Sequence, residues 1–167
     1  MRRGEAVTLA VIGVVVAGLI ARNVVSLRSQ SQPDPGIPFY TTADAVLARQ
    51  AGDLYRANNC RQCHSLWTVK SVFESVPAPA LDGIGSLRSE EWFYRYFSAA
   101  DPQDILPSRL KPEYRMPSLA TLPEEERRVL AKYMASLKVK DWYLESTRAA
   151  EYEKLTGKEY SQSHAQN

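Results

Sequence analysis

Sulfur and imidazole are scarce in this chain. Its 167 residues include two cysteines, two histidines and three methionines. Two cysteines are too few for the disulfide framework of a small secreted domain. A structural zinc site takes about four ligands, and Cys60, Cys63, His64 and His164 would be the whole supply. Strand-like alternation is sparse too, so a thioredoxin-type Cys-x-x-Cys lacks the βαβ setting it needs. A dominant charge of one sign is also missing. Arg2, Arg3, Arg22 and Arg28 against Glu5 give residues 1–28 a net +3, and the other 139 residues, with 17 basic and 18 acidic side chains, come to −1. A nearly neutral body offers no electrostatic footprint for nucleic acid, and nucleic-acid binding is not expected.

Long apolar runs are limited to one. Ala6–Ala21 is sixteen residues without a charge, preceded by Arg2 and Arg3. Extended to Leu27 it covers about 22 residues, enough for a hydrocarbon core of roughly 30 Å. A cleaved signal peptide is the alternative, although Leu19-Ile20-Ala21 is a poor small-x-small cleavage site. The expectation is an uncleaved, single-pass anchor over residues 1–28. Residues 29–41 are rich in proline and polar side chains, and read as a linker or as an arm lying over the domain that follows.

Three of the scarce side chains stand within five positions, in Cys60-Arg61-Gln62-Cys63-His64. Cys-x-x-Cys-His is the pattern of a c-type haem attachment site. The two-residue gap lets both thiols reach one edge of a porphyrin, and His64 is then carried to the iron from one face. Upstream, Ala43, Val46, Leu47, Ala51, Leu54 and Tyr55 recur at spacings of three and four, which predicts a helix running into the cysteines. Thr41 or Thr42 is placed to cap its start. Ser89, followed by Glu90 and Glu91 and closed by Asp101-Pro102, predicts a second capped helix, with Trp92, Phe93, Tyr96 and Phe97 forming an aromatic wall. Pro123–Leu137 is a third helix, with acids in its first turn and Leu130, Tyr133, Met134 and Leu137 on one side.

These motifs resemble those of the class I, mono-haem cytochromes c, over residues 43–138. The resemblance implies an all-α haem domain over residues 42–138, with one covalently attached haem c. It also implies that Gly52 and Tyr55 pack against the last helix. Pro77–Gly85 is similar to the family's Pro-x-Leu-x-Gly segment, and the resemblance implies that the Pro79 carbonyl accepts a hydrogen bond from the His64 ring. The distal ligand is a choice between methionines. Met134 sits on a helix face and reads as core, whereas Met116 lies in a loop fixed by Pro112 and Pro117. A loop brings a thioether to the far face of a haem more readily than a packed helix does. Met116-Pro117 before a closing helix also matches the family pattern. His64 and Met116 are therefore the expected axial ligands, with Cys60, Cys63 and Pro79 completing the site. Ser65 and the bulky Leu66-Trp67 depart from the glycine many members carry after the histidine, which puts the local backbone path in question.

Iron held between histidine and methionine has no open position for substrate, so the expected function is one-electron transfer rather than catalysis. Covalent attachment to cysteine implies export, which places the haem domain on the periplasmic side of the cytoplasmic membrane. The alternative is a haem enzyme or gas sensor with a labile or open sixth position. Residues 139–167 form a C-terminal extension. Its Asp141–Gly157 stretch is amphipathic, and either folds back on its own domain or docks a partner through Trp142, Leu144, Tyr152 and Leu155. One anchor, one haem domain and this tail also resemble the cytochrome c subunit of nitric-oxide reductase and the mono-haem subunit of cbb3-type oxidases. That likeness implies redox donor and acceptor proteins and a membrane respiratory complex as partners.

Overall fold

The computed structural model describes residues 11–23, 36–67, 69, 76 and 78–161. The chain divides into two compact units, residues 1–36 and 37–167. In the first, helix α1 spans residues 11–23. Among the described residues no helix is long and apolar enough to cross a membrane. The expected anchor over 1–28 reaches beyond α1 on both sides, and its flanks lie outside the described residues, as do residues 29–35 of the linker and His164.

The second unit is mainly helical. Its elements are β1 (Phe39–Thr41), α2 (Ala45–Ala57), α3 (Glu90–Ser98), α4 (Glu124–Ser136), β2 (Leu137–Val139) and α5 (Asp141–Thr156). Helix α2 starts two or three residues later than the threonines suggest. Asp44 is its cap, its Oδ1 accepting from Val46 N at 3.0 Å and Leu47 N at 2.8 Å. A carboxylate there satisfies two of the amides that the first turn leaves without partners. Thr41 is engaged elsewhere, its Oγ1 lying 2.9 Å from the Ser136 hydroxyl. Helix α3 begins as its sequence predicts, with Ser89 Oγ accepting from Trp92 N at 3.1 Å.

The core gathers around α4, which packs against both α2 and α3. Leu130 and Leu137 are buried almost completely, and Ala51, Phe93, Phe97, Ala131 and Met134 join them. Each large aliphatic buried in this way contributes roughly 1.5–3 kcal/mol. The intimate backbone approach belongs to Gly85 rather than Gly52. A Cβ on Gly85 would overlap the Ala135 carbonyl at the end of α4, whereas one on Gly52 would meet only Arg56 Nη1 at 3.7 Å. The expected packing of Gly52 against the last helix is thereby corrected, while Tyr55 is in the core.

The linker expected over 29–41 also ends early. Phe39–Thr41 pairs antiparallel with Leu137–Val139, in the register Phe39↔Val139 and Thr41↔Leu137. Thr42 N donates to Ser136 O at 3.0 Å, and Lys140 N to Pro38 O at 2.9 Å. The strip joins the start of the domain to the end of α4, adding a two-stranded element to an otherwise helical fold. From there α5 folds back on its own domain. Tyr143 meets Phe39 edge-on at 5.5 Å between ring centroids, and Arg88 Nη2 pairs with Glu151 Oε2 at 3.1 Å. Leu144, Tyr152 and Leu155 are half-buried by this packing, whereas Trp142 remains exposed.

Candidate functional site

Helix α2 stops at the point where the cysteines begin. Asn58 N and Asn58 Nδ2 both donate to Leu54 O, at 3.0 and 2.9 Å, satisfying a carbonyl of the last turn. Asn59 then adopts a left-handed conformation with φ 54°, which asparagine tolerates better than most residues. Cys60–Gln62 forms a 3-10 turn, and His64 N donates to Cys60 O at 2.9 Å. The cysteines are not bonded to each other.

Two hydrogen bonds bind the segment after the motif to the Pro79 region. His64 Nδ1 lies 2.8 Å from Pro79 O, and Leu81 N donates to Ser65 O at 2.9 Å. Gly83 turns the chain with φ 77°, at a position where a Cβ would sit 2.9 Å from Val139 Cβ. From the other side the Tyr55 hydroxyl donates to His64 O at 3.0 Å. Nothing in the sequence spacing points to that bond, because it depends on how far the turn carries the chain back toward α2. The left-handed residue beyond the motif is Trp67, with φ 56°, so Ser65 needs no glycine-like backbone. Part of the stretch between Trp67 and Ala78 lies outside the described residues.

Cys60, Cys63, His64, Pro79 and Met116 line one cavity of about 340 Å³. The aromatic wall of α3 faces it as well. Phe93 and Phe97 are buried, while Trp92 stacks on Tyr96 at 5.0 Å with 13° between the rings. Met116 is half-buried in a loop, with its carbonyl accepting from Gln103 Nε2 at 3.3 Å. Met134 belongs to the core and also borders the cavity, a double placement that helical periodicity does not reveal. Glu151, Lys154 and Leu155 of α5 complete the lining. Of these three, only Leu155 stood out in the sequence.

Electrostatics agree with an apolar recess. Burial pushes the Cys60 thiol up to about 11, the Cys63 charge adding to the effect and a backbone hydrogen bond opposing it. A redox-active Cys-x-x-Cys has the opposite character, a lowered thiol pKa. Burial, with the Asp101 charge behind it, pushes Tyr96 up to about 12. Glu151 is raised by burial, with Arg88 partly opposing. Among the described residues no three His, Cys, Asp or Glu side chains converge on a metal position. Two adjacent thiols, an imidazole oriented through Nδ1 and a thioether on a loop, all around one apolar space, suit a planar iron-bearing group held covalently at its edge.

The family model described as Cytochrome c matches residues 49–138, more than half of the chain. No curated protein matches the chain, and no solved structure does.

Proposed function

The chain belongs to the cytochrome c family, and on that premise we propose that it is a membrane-anchored, single-haem electron carrier with His64 and Met116 as axial ligands. Haem c is covalently attached in this family, and a single domain takes a single haem. When bound, it supplies a reversible one-electron iron couple.

The observation that carries the reading is the convergence of Cys60, Cys63, His64 and Met116 on one apolar cavity. Cys60 and Cys63 supply the two thioether links. His64 would hold the iron through its other ring nitrogen, and the 2.8 Å contact between Nδ1 and Pro79 O fixes ring orientation and raises basicity. Met116 would hold the iron from the loop side, and a thioether there would favour the reduced state. Phe93, Phe97, Ile84 and Leu130 are buried side chains that give the recess an apolar wall, which would favour burial of the porphyrin. Residues 1–28 tether the protein to the cytoplasmic membrane with the haem domain on the periplasmic side. Its partners are a donor and an acceptor redox protein, within or docked to a membrane respiratory complex.

The test is an absorption spectrum of the intact protein, oxidised and reduced, with CO added to the reduced form. Low-spin spectra with a thioether–iron(III) charge-transfer band, unchanged by CO, support closed His64/Met116 ligation. Rapid CO uptake would return the protein to the enzyme or sensor reading. Met116→Ala abolishes the band, and Met134→Leu retains it; the reverse pattern would move the sixth ligand to α4.

A further inference from the structure

The C-terminal extension has no place in the ligation just described, yet it lines the same cavity. We propose that α5 braces the loop that carries Met116, with Arg109 as the positioning residue that joins them. The proposal rests on Met116 as sixth ligand.

The join lies at the C-terminal end of α5. Lys154 is among the last four residues of the helix, whose carbonyls have no partner within it. Arg109 Nε donates to Lys154 O at 3.3 Å. A cation at that end also complements the helix dipole. The arginine side chain lies across Gly157, where a Cβ would stand 3.1 Å from its Nε. Gly157 has φ 70°, so helix termination and the seat for Arg109 are one feature.

Two further ties make the contact consequential. Glu151, one turn before Lys154 on α5, pairs with Arg88, and both side chains are largely buried. The Arg88 guanidinium also lies over the Trp92 ring at 5.1 Å. Helix α5 is therefore fixed to the aromatic wall at one point and holds the methionine loop at another. The loop is stiff enough to pass that hold along. Arg115 Nε donates to Leu110 O at 2.8 Å, Tyr114 N to Lys111 O at 2.9 Å, and Gln103 holds the Met116 carbonyl. Releasing Arg109 removes one of the holds on the loop while Gln103 keeps another, and would ease displacement of the thioether.

The experiment uses the full-length haem-loaded protein and titrates the oxidised form with imidazole, which competes for the sixth position. Arg109→Ala raises the apparent imidazole affinity roughly three- to tenfold, the weight of one ordinary hydrogen bond, its charge being screened by solvent. Arg109→Lys recovers most of the difference. Arg109 is exposed and the same contact is lost on unfolding, so urea stability falls by no more than that roughly three- to tenfold weight; a larger fall would mean general loosening and would overturn positioning. Arg128→Ala, which removes an exposed pair with Glu124 on α4, leaves imidazole affinity unchanged. Unchanged affinity in Arg109→Ala, or an equal rise in Arg128→Ala, would overturn the brace. A parent protein that lacks the charge-transfer band and binds CO readily would instead overturn Met116 ligation itself.

Discussion

Two glycines of this domain should respond to the same substitution with opposite signs. Gly85→Ala places a methyl group against the Ala135 carbonyl and the Met134 carbonyl at the end of α4. Those atoms are backbone and cannot rotate away as a side chain would. Relief requires α4 to move, and that end of the helix is held by Lys138 Nζ donating to Gly85 O at 2.6 Å and Val139 N to Ser86 Oγ at 3.0 Å. Forcing extra volume into such a contact costs about 1–3 kcal/mol. The smaller freedom of the unfolded chain returns about 0.4–1 kcal/mol, leaving a net loss of roughly 1–2 kcal/mol. Gly52→Ala adds its methyl inside α2, where, outside the helix backbone and among the described residues, Arg56 Nη1 at 3.7 Å is the only atom within 4 Å. Relative to glycine in a helix interior, alanine should gain roughly 0.5–1 kcal/mol. Urea unfolding of the haem-loaded proteins reads both effects as midpoint shifts at constant slope. A Gly85→Ala protein as stable as its parent would refute the close approach. Because Ile84, Leu130 and Met134 border the cavity, the same variant should also broaden the haem absorption bands.

Tyr55→Phe removes the donor to His64 O and leaves the ring in place; it should cost about 1–2 kcal/mol in urea unfolding, and a loss near zero would mean that water replaces the hydroxyl. Glu151 sits above its ordinary carboxylate value because burial disfavours its charge. The folded protein therefore holds that proton more tightly than the unfolded chain, and Glu151's contribution falls as pH rises from the ordinary value through the folded one. Glu151→Gln should remove this component, so the stability difference between parent and variant should narrow or reverse across weakly acidic pH; parallel profiles would contradict it. Replacing both Cys60 and Cys63 with serine should make the haem extractable into acidified organic solvent, and haem that stays with the chain would point to another attachment.

The sequence alone determined what depends on neighbours along the chain. Cys60, Cys63 and His64 point to haem attachment because attachment needs two thiols and an imidazole at fixed local spacing. Helices α3 and α4 are legible from Ser89 and from the acids of their first turns, since capping and dipole effects act within a few residues. What the sequence left open depends on distant segments meeting. Asp44 rather than Thr41 caps α2 because Thr41 is drawn into a strip with residues near Ser136. The strip itself is three residues long, too short for alternation to reveal. Gly85, and not Gly52, meets α4 closely, a distinction set by helix packing. The Tyr55 bond to His64 and the place of α5 beside the cavity are likewise tertiary. An amphipathic stretch records that one of its faces will be covered, but only the folded chain decides whether the cover is its own domain.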